Sequence, residues 1–297
     1  MDEQRYIQLY DERGNVTGHT VTRTGEIVEN AHYDIDVPEG TRVILDTPED
    51  RERRAQQREA RRDQQDRTRA GEHFIWVDKF ETLGNLQPET RARLIQLCCY
   101  MDYSERGAYL KRTRHNLTRA DMRATLRLSQ AQTDRTLASL SGYIETTEEG
   151  YRVIANGITR GRLQQDTHNS YTRININSYK ELYNGTDTSK HKHIGYIFSC
   201  LPYINTRYNV LCYNPDERDL QRIEPISKSE FCEIIGYRLS NINRLLSGFH
   251  AMTIHGVQAI CISGRGSNSC VSINPDLIYS GDMIGTAKAH HIELMSS

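Results

Sequence analysis

Residues 117–132 read Leu117-Thr118-Arg119-Ala120-Asp121-Met122-Arg123-Ala124-Thr125-Leu126-Arg127-Leu128-Ser129-Gln130-Ala131-Gln132. Thr118 suits a helix N-cap, with Asp121 three residues on, and Met122 and Leu126 fall on one helical face. The short connection Arg127-Leu128 leads to Ser129, a second N-cap type. Beyond it Thr133, Thr136, Leu137 and Leu140 share an inward face, while Gln130, Gln132, Arg135 and Ser139 point outward. Upstream, Pro88 to Tyr103 carries Leu94, Ile95, Leu97, Cys98 and Met101 at helical spacing, with Pro88 suited to a first turn. Downstream, Tyr143 to Thr147 and Tyr151 to Ala155 flank the turn Glu148-Glu149-Gly150, which predicts a hairpin.

The same order recurs at an offset of 109 residues. Leu117-Thr118-Arg119 matches Ile226-Ser227-Lys228, and Asp121-Met122 matches Glu230-Phe231. Leu126 matches Ile235, Arg135 matches Arg244, Leu137 matches Leu246, and Leu140 matches Phe249. In the second copy Lys190 to Tyr203 predicts a helix bearing Ile194, Ile197, Phe198 and Leu201. Ser227 caps the next, which carries Phe231, Ile234 and Ile235 and ends at Gly236. Ser240 to His250 then turns Ile242, Leu245, Leu246 and Phe249 inward, and Asn241, Asn243, Arg244 and Ser247 outward. Ala259–Ser263 and Ser269–Asn274 close a hairpin around a Gly-rich turn that holds Arg265. Strand-like runs, Phe74 to Val77 and Tyr171 to Ile176, precede the two copies.

Helix, capped helix, turn, second capped helix and hairpin make the winged variant of the helix-turn-helix. The pattern predicts an α+β protein with two tandem winged-helix domains, at 74–165 and 166–282. Ahead of them stand a small β appendage (1–47) and a charged linker (48–73); a flexible tail (283–297) follows. The appendage shows strand candidates at Tyr6–Tyr10, Val16–Arg23, Glu26–Tyr33 and Arg42–Leu45. From Glu49 to His73 no apolar residue exceeds alanine, so nothing there can build a core.

Composition narrows the function. Hydrophobic residues make up 37% of the chain, and the mean hydropathy is −0.69. No apolar run reaches the ~18–20 residues of a membrane span, and the polar start Met1-Asp2-Glu3-Gln4-Arg5 is unlike a secretory signal. Seven cysteines without a C-x-x-C pair argue against a disulfide scaffold or a Cys-rich zinc module and for a reducing cytoplasm. The net charge of −1 conceals a gradient, because residues 1–47 carry four arginines and no lysine against ten acids. Seven cations (Arg106, Lys111, Arg112, Arg114, Arg119, Arg123 and Arg127) then crowd into 106–127 beside one acid, Asp121. Cations so placed neutralise phosphates and lend salt-dependent affinity.

On the outward faces, Arg135 and Arg244 suit bidentate pairing with guanine, and Gln130, Gln132, Asn241 and Asn243 suit adenine. Arg265, at the hairpin tip, suits a narrow minor groove. The expected DNA-binding set is therefore Arg112, Arg114, Arg119, Arg123, Arg127, Gln130, Gln132, Arg135, Lys228, Arg238, Asn241, Asn243, Arg244 and Arg265.

Leu201-Pro202-Tyr203-Ile204-Asn205, Asn209 to Pro215, Pro225-Ile226, Phe231 to Tyr237 and Ile273 to Tyr279 resemble replication-initiator-like and regulatory proteins of Gram-positive plasmids and phages. The resemblance spans residues 74–282 and is looser in the first repeat; residues 1–73 lie outside it. It implies tandem winged helices that bind double-stranded DNA, in origin recognition or in transcriptional control. The reading is of a non-enzymatic, sequence-specific double-stranded-DNA-binding protein acting in replication initiation. A phage or plasmid transcriptional regulator is the alternative, ahead of a DNA-nicking enzyme or a protein-binding scaffold. A second copy of the chain or replication and transcription proteins are further candidate partners.

No cofactor or metal is expected. A phosphate-binding G-x-x-x-x-G-K-[ST] loop does not occur. His191-Lys192-His193 reads as a surface pair, His290-His291 falls in the predicted tail, and the adjacent Cys98-Cys99 cannot both face one ion.

Overall fold

The computed structural model describes residues 73–80, 83, 86–102, 108–112, 115–160, 171–264, 269–281 and 284–296, together with the backbone of three strands in the first 44 residues. The chain divides into two compact units, Met1–Arg62 and Asp63–Ser297. The first holds β1 (Arg5–Tyr10), β2 (Val16–Thr22) and β3 (Arg42–Ile44) in the order β2-β1-β3. Both pairings are antiparallel, with a bulge at Leu9/Tyr10. The strand expected at Glu26–Tyr33 lies outside the described residues, as does the linker apart from His73. The division between units falls inside that linker.

In chain order the second unit begins with β4 (Phe74–Asp78), α1 (Pro88–Cys98), β5 (Ala108–Tyr109), β6 (Lys111–Arg112), β7 (His115–Asn116), α2 (Arg119–Leu126) and α3 (Gln130–Ser139). β8 (Ile144–Thr147), β9 (Gly150–Val153), β10 (Ile158–Thr159) and β11 (Tyr171–Asn175) follow. The helices α4 (Ile176–Gly185), α5 (His191–Ile197), α6 (Lys228–Ile234) and α7 (Ile242–His250) come next. After these stand β12 (Thr253–Ile254), β13 (Val257–Gln258), β14 (Ile260–Ser263), β15 (Cys270–Ile273), β16 (Ile278–Tyr279) and α8 (Ile284–Ser296). The protein is thus mixed α+β.

Capping chemistry sets the helix starts. Thr118 Oγ1 accepts from the Asp121 amide at 3.2 Å, and Asp121 Oδ2 accepts from the Thr118 amide at 2.9 Å. Ser227 and Glu230 repeat this reciprocal pairing at α6, and Ser129 and Gln132 do so at α3. Arg127, at φ 57°, takes the left-handed conformation that ends α2 and redirects the chain into α3. Gly236, at φ 66°, makes the matching turn after α6.

A segment ahead of each capped helix pairs with the second strand of the hairpin that follows. In the first repeat the sheet order is β5-β9-β8. In the second, Val210 bridges Ser272 of β15, which pairs along β14 from Ile260↔Ile273 to Ser263↔Cys270. An additional short hairpin, β12–β13, turns at His255-Gly256 with both residues at positive φ.

The two repeats lie within one compact unit. β4 and β11, the strands that lead into them, pair antiparallel from Tyr171↔Asp78 to Asn175↔Phe74 within the sheet β10-β4-β11-β16. One continuous core runs from Leu94 and Leu97 of α1 through Tyr179, Ile194 and Ile197 to Phe231 and Leu245. The physical reason lies in α1, where Thr90, Ala92, Leu94, Ile95, Gln96, Leu97 and Cys98 are all buried. Such a helix needs cover on more than one side. α5 supplies it at Gly195, where a Cβ would come within 1.7 Å of the Pro88 carbonyl oxygen. Tyr179 Oη donates to Ala92 O at 2.8 Å and Tyr183 Oη to Leu126 O at 3.3 Å, both in buried surroundings.

Three expectations need correction. The helix predicted over Lys190–Tyr203 is short: α5 passes into a 3-10 segment, Phe198–Tyr203, that contains Pro202, a residue with no amide hydrogen to continue the α ladder. The tail is a helix whose Ala287 and His291 are buried. His291 Nε2 donates to Gln258 O at 3.0 Å, and its Nδ1 accepts from Ser272 Oγ at 2.8 Å. Among the described residues of this helix, one alanine and one histidine, rather than leucines, are buried. His191 and His193 are likewise interior, at 0% and 7% exposure. His191 lies against the Tyr183 ring with 3.9 Å between centroids, and its Nε2 donates to Tyr183 O at 3.2 Å.

Candidate nucleic-acid interface

α3 turns Thr133 and Thr136 into the core and leaves Gln130, Gln132, Arg135 and Ser139 exposed. The second repeat does the same with Leu245 and Phe249 buried and Asn241, Asn243, Arg244 and Ser247 exposed; a 3-10 turn, Leu239–Asn241, leads into α7. Both candidate reading faces therefore stand at the surface.

The side chains on them are not equally available. Gln132 Oε1 accepts from both the amide (3.1 Å) and the hydroxyl (3.0 Å) of Ser129. Its amide group is then left with donors only, whereas bidentate pairing with adenine needs a donor and an acceptor. No described residue hydrogen-bonds the side chains of Gln130, Asn241 or Asn243, and Asn241 makes no side-chain cap. No described residue pairs with Arg123, Arg135, Arg238 or Arg244, all of which are exposed.

Other cations have internal work. Arg119 grips Asp134 of α3, Nη2 at 2.7 Å and Nε at 2.9 Å, tying the two helices of the first turn together. Arg127 donates to the carbonyls of Asn184 and Thr186 and so caps the C-terminus of α4. Lys111 is paired with Asp102. Lys228 donates its ammonium to Gly264 O at 3.0 Å and its amide to Ser269 Oγ at 2.8 Å, which fixes both ends of the Gly-rich turn to the start of α6. Arg112 is exposed on β6. Arg114 and Arg265 lie outside the described residues.

Two cations absent from the expected set join the second face. Lys190 and Lys192, both exposed, flank the start of α5 beside His193. Burial first, and then the charges of Lys192, Lys190 and Arg244, push the His193 imidazole down to about 4, so this ring is neutral among three cations. Gly248 of α7 lies directly on it, where a Cβ would stand 2.7 Å from Nδ1. A signal for this face was present in the sequence: no aspartate or glutamate occurs from Ile234 to Pro275, nor from Thr188 to Pro215. In the first repeat some of the acids are occupied instead. Asp121 is held below the usual carboxylate range by the Thr118 hydroxyl and amide, and Glu145 is paired with Arg152. The first hairpin tip, Glu148-Glu149, keeps its exposed acids.

Among the described residues no group of three or more His, Cys, Asp or Glu could hold a metal ion, and no helix is long and apolar enough to cross a membrane. No protein-family model, characterised protein or solved structure matches the chain.

Proposed function

We propose that this protein is a sequence-specific double-stranded-DNA-binding protein whose two repeats are winged helices, each presenting its outward helix to a major groove. The observation that carries the reading is the repeated exposed arginine. Arg135 and Arg244 occupy matching positions on two surface helices, each preceded by a helix with a Ser/Thr–acid capping box, and no described residue pairs with either. Arg on an exposed, groove-sized helix suits the O6/N7 edge of guanine. Arg112, Arg123, Arg238, Lys190 and Lys192 suit phosphates on either side. The sequence resemblance to replication-initiator-like proteins favours a role at an origin of a plasmid or phage, and the chain carries out no chemistry of its own in this reading.

Because both repeats belong to one body, the two helices address the duplex at a fixed separation. Selection from a random duplex pool should therefore enrich two motifs at one constant spacing, and inserting five base pairs between them should abolish tight binding. A pool that yields no motif would refute sequence-specific recognition.

A further inference from the structure

The offset that aligns Arg135 with Arg244 also aligns Gln130 with Leu239, Gln132 with Asn241 and Asp134 with Asn243. Thus the two faces share their arginine and differ in the chemistry around it. On the first, Asp134 is held by Arg119 and the Gln132 carbonyl oxygen by Ser129. On the second, both asparagine side chains lack a described partner, and Leu239 is 51% exposed at the leading end of the helix. The apolar residues that follow it in α7 behave otherwise: Leu245 and Phe249 are buried, and Ile242 and Leu246 half-buried. An exposed leucine alone is ordinary. This one stands between Arg238 and Asn241, in the acid-free stretch, where the first turn of a groove-entering helix meets base edges. The apolar group displayed there by DNA is the 5-methyl of thymine.

We propose that Leu239 packs against a thymine 5-methyl group, so that the second repeat reads a thymine where the first, with Gln130, reads a hydrogen-bonding edge, and the bound duplex is asymmetric. This rests on the DNA-binding reading above. The test uses the full chain and the duplex obtained by selection, with each thymine replaced in turn by deoxyuridine, which removes only the methyl. At one thymine the dissociation constant of the wild-type protein should rise about four-fold, the value of one buried methyl group. Leu239→Ala should bring that ratio to about one, with its melting temperature unchanged because the side chain is half exposed. Gln130→Ala should keep the four-fold ratio. Wild-type indifference to every replacement, an undiminished ratio in Leu239→Ala, or a selected site without thymine would each overturn the proposal. Failure to bind any duplex would instead overturn the DNA-binding reading.

Discussion

Replacing Gly195 with alanine would put a methyl carbon 1.7 Å from the Pro88 carbonyl oxygen, 2.3 Å from its carbon and 2.7 Å from its Cα. All three are backbone atoms, so no side chain can swing aside; the first turn of α1 has to retreat by about 1.5 Å to restore an ordinary separation. Retreat is opposed by Ala92, Leu94 and Ile95, all fully buried on that helix. Overpacking costs about 1–3 kcal/mol and more when the backbone must move, which puts this site near 3 kcal/mol or above. The intrinsic preference of a helix for alanine over glycine returns about 1 kcal/mol. The net loss of about 2–3 kcal/mol corresponds to about 5–10 °C in a unit of this size. Gly185 is the internal control, since it closes α4 with nothing within 4 Å of its would-be Cβ. Gly185→Ala should change stability by less than about 1 kcal/mol. Thermal and urea unfolding, followed by circular dichroism, compare the two variants. A Gly195→Ala protein that melts with the wild type, or no lower than Gly185→Ala, would refute the tight joining of the repeats at α1 and α5.

Acid should weaken the fold in a stated window. His191 and His193 are pushed down to about 4, chiefly by burial, from an ordinary value of 6.5. The unfolded chain therefore binds more protons below pH 6.5, and the contribution of each ring, on the order of 3 kcal/mol at most, is full above that pH and lost as it falls towards 4. Both imidazoles should be neutral at pH 5 by NMR; protonation of either near 6.5 would contradict its burial. Ser227→Ala removes the hydroxyl that accepts from the Glu230 amide and donates to its carboxylate at 2.6 Å, and should cost about 1 kcal/mol in urea unfolding. An unchanged midpoint would deny the cap any weight. Asp134→Asn releases Arg119 from its surface ion pair, a change within about 1 kcal/mol for stability. On the DNA-binding reading it should tighten binding and steepen the salt dependence by about one counterion, whereas a flat comparison would place Arg119 away from phosphate.

What could be read in the amino-acid sequence was local chemistry. Thr118 with Asp121 and Ser227 with Glu230 announce helix starts because N-cap and partner are three residues apart. The hairpins at 144–153 and 260–273 show alternating residues around a turn, and both outward faces follow from helical spacing. Long-range events had no such mark. Nothing in Phe74–Asp78 or Tyr171–Asn175 says that these strands pair with each other. Arg119 and Asp134 meet across a turn, and Arg127 reaches the end of α4, so their charges looked free. Residue type and position suggest surface groups for His191 and His193 and a tail residue for His291; their burial depends on carbonyls and rings brought from elsewhere, such as Tyr183 and Gln258. Nothing in the sequence marks Leu239 as different from a core leucine; only its exposure sets it apart.

Amide hydrogen exchange with and without duplex DNA at low ionic strength tests the central claim most directly. Slowed exchange at residues 130–139 and 238–250, with the body of the core unchanged, is the expected result. Protection elsewhere, or none at saturating duplex, would contradict it.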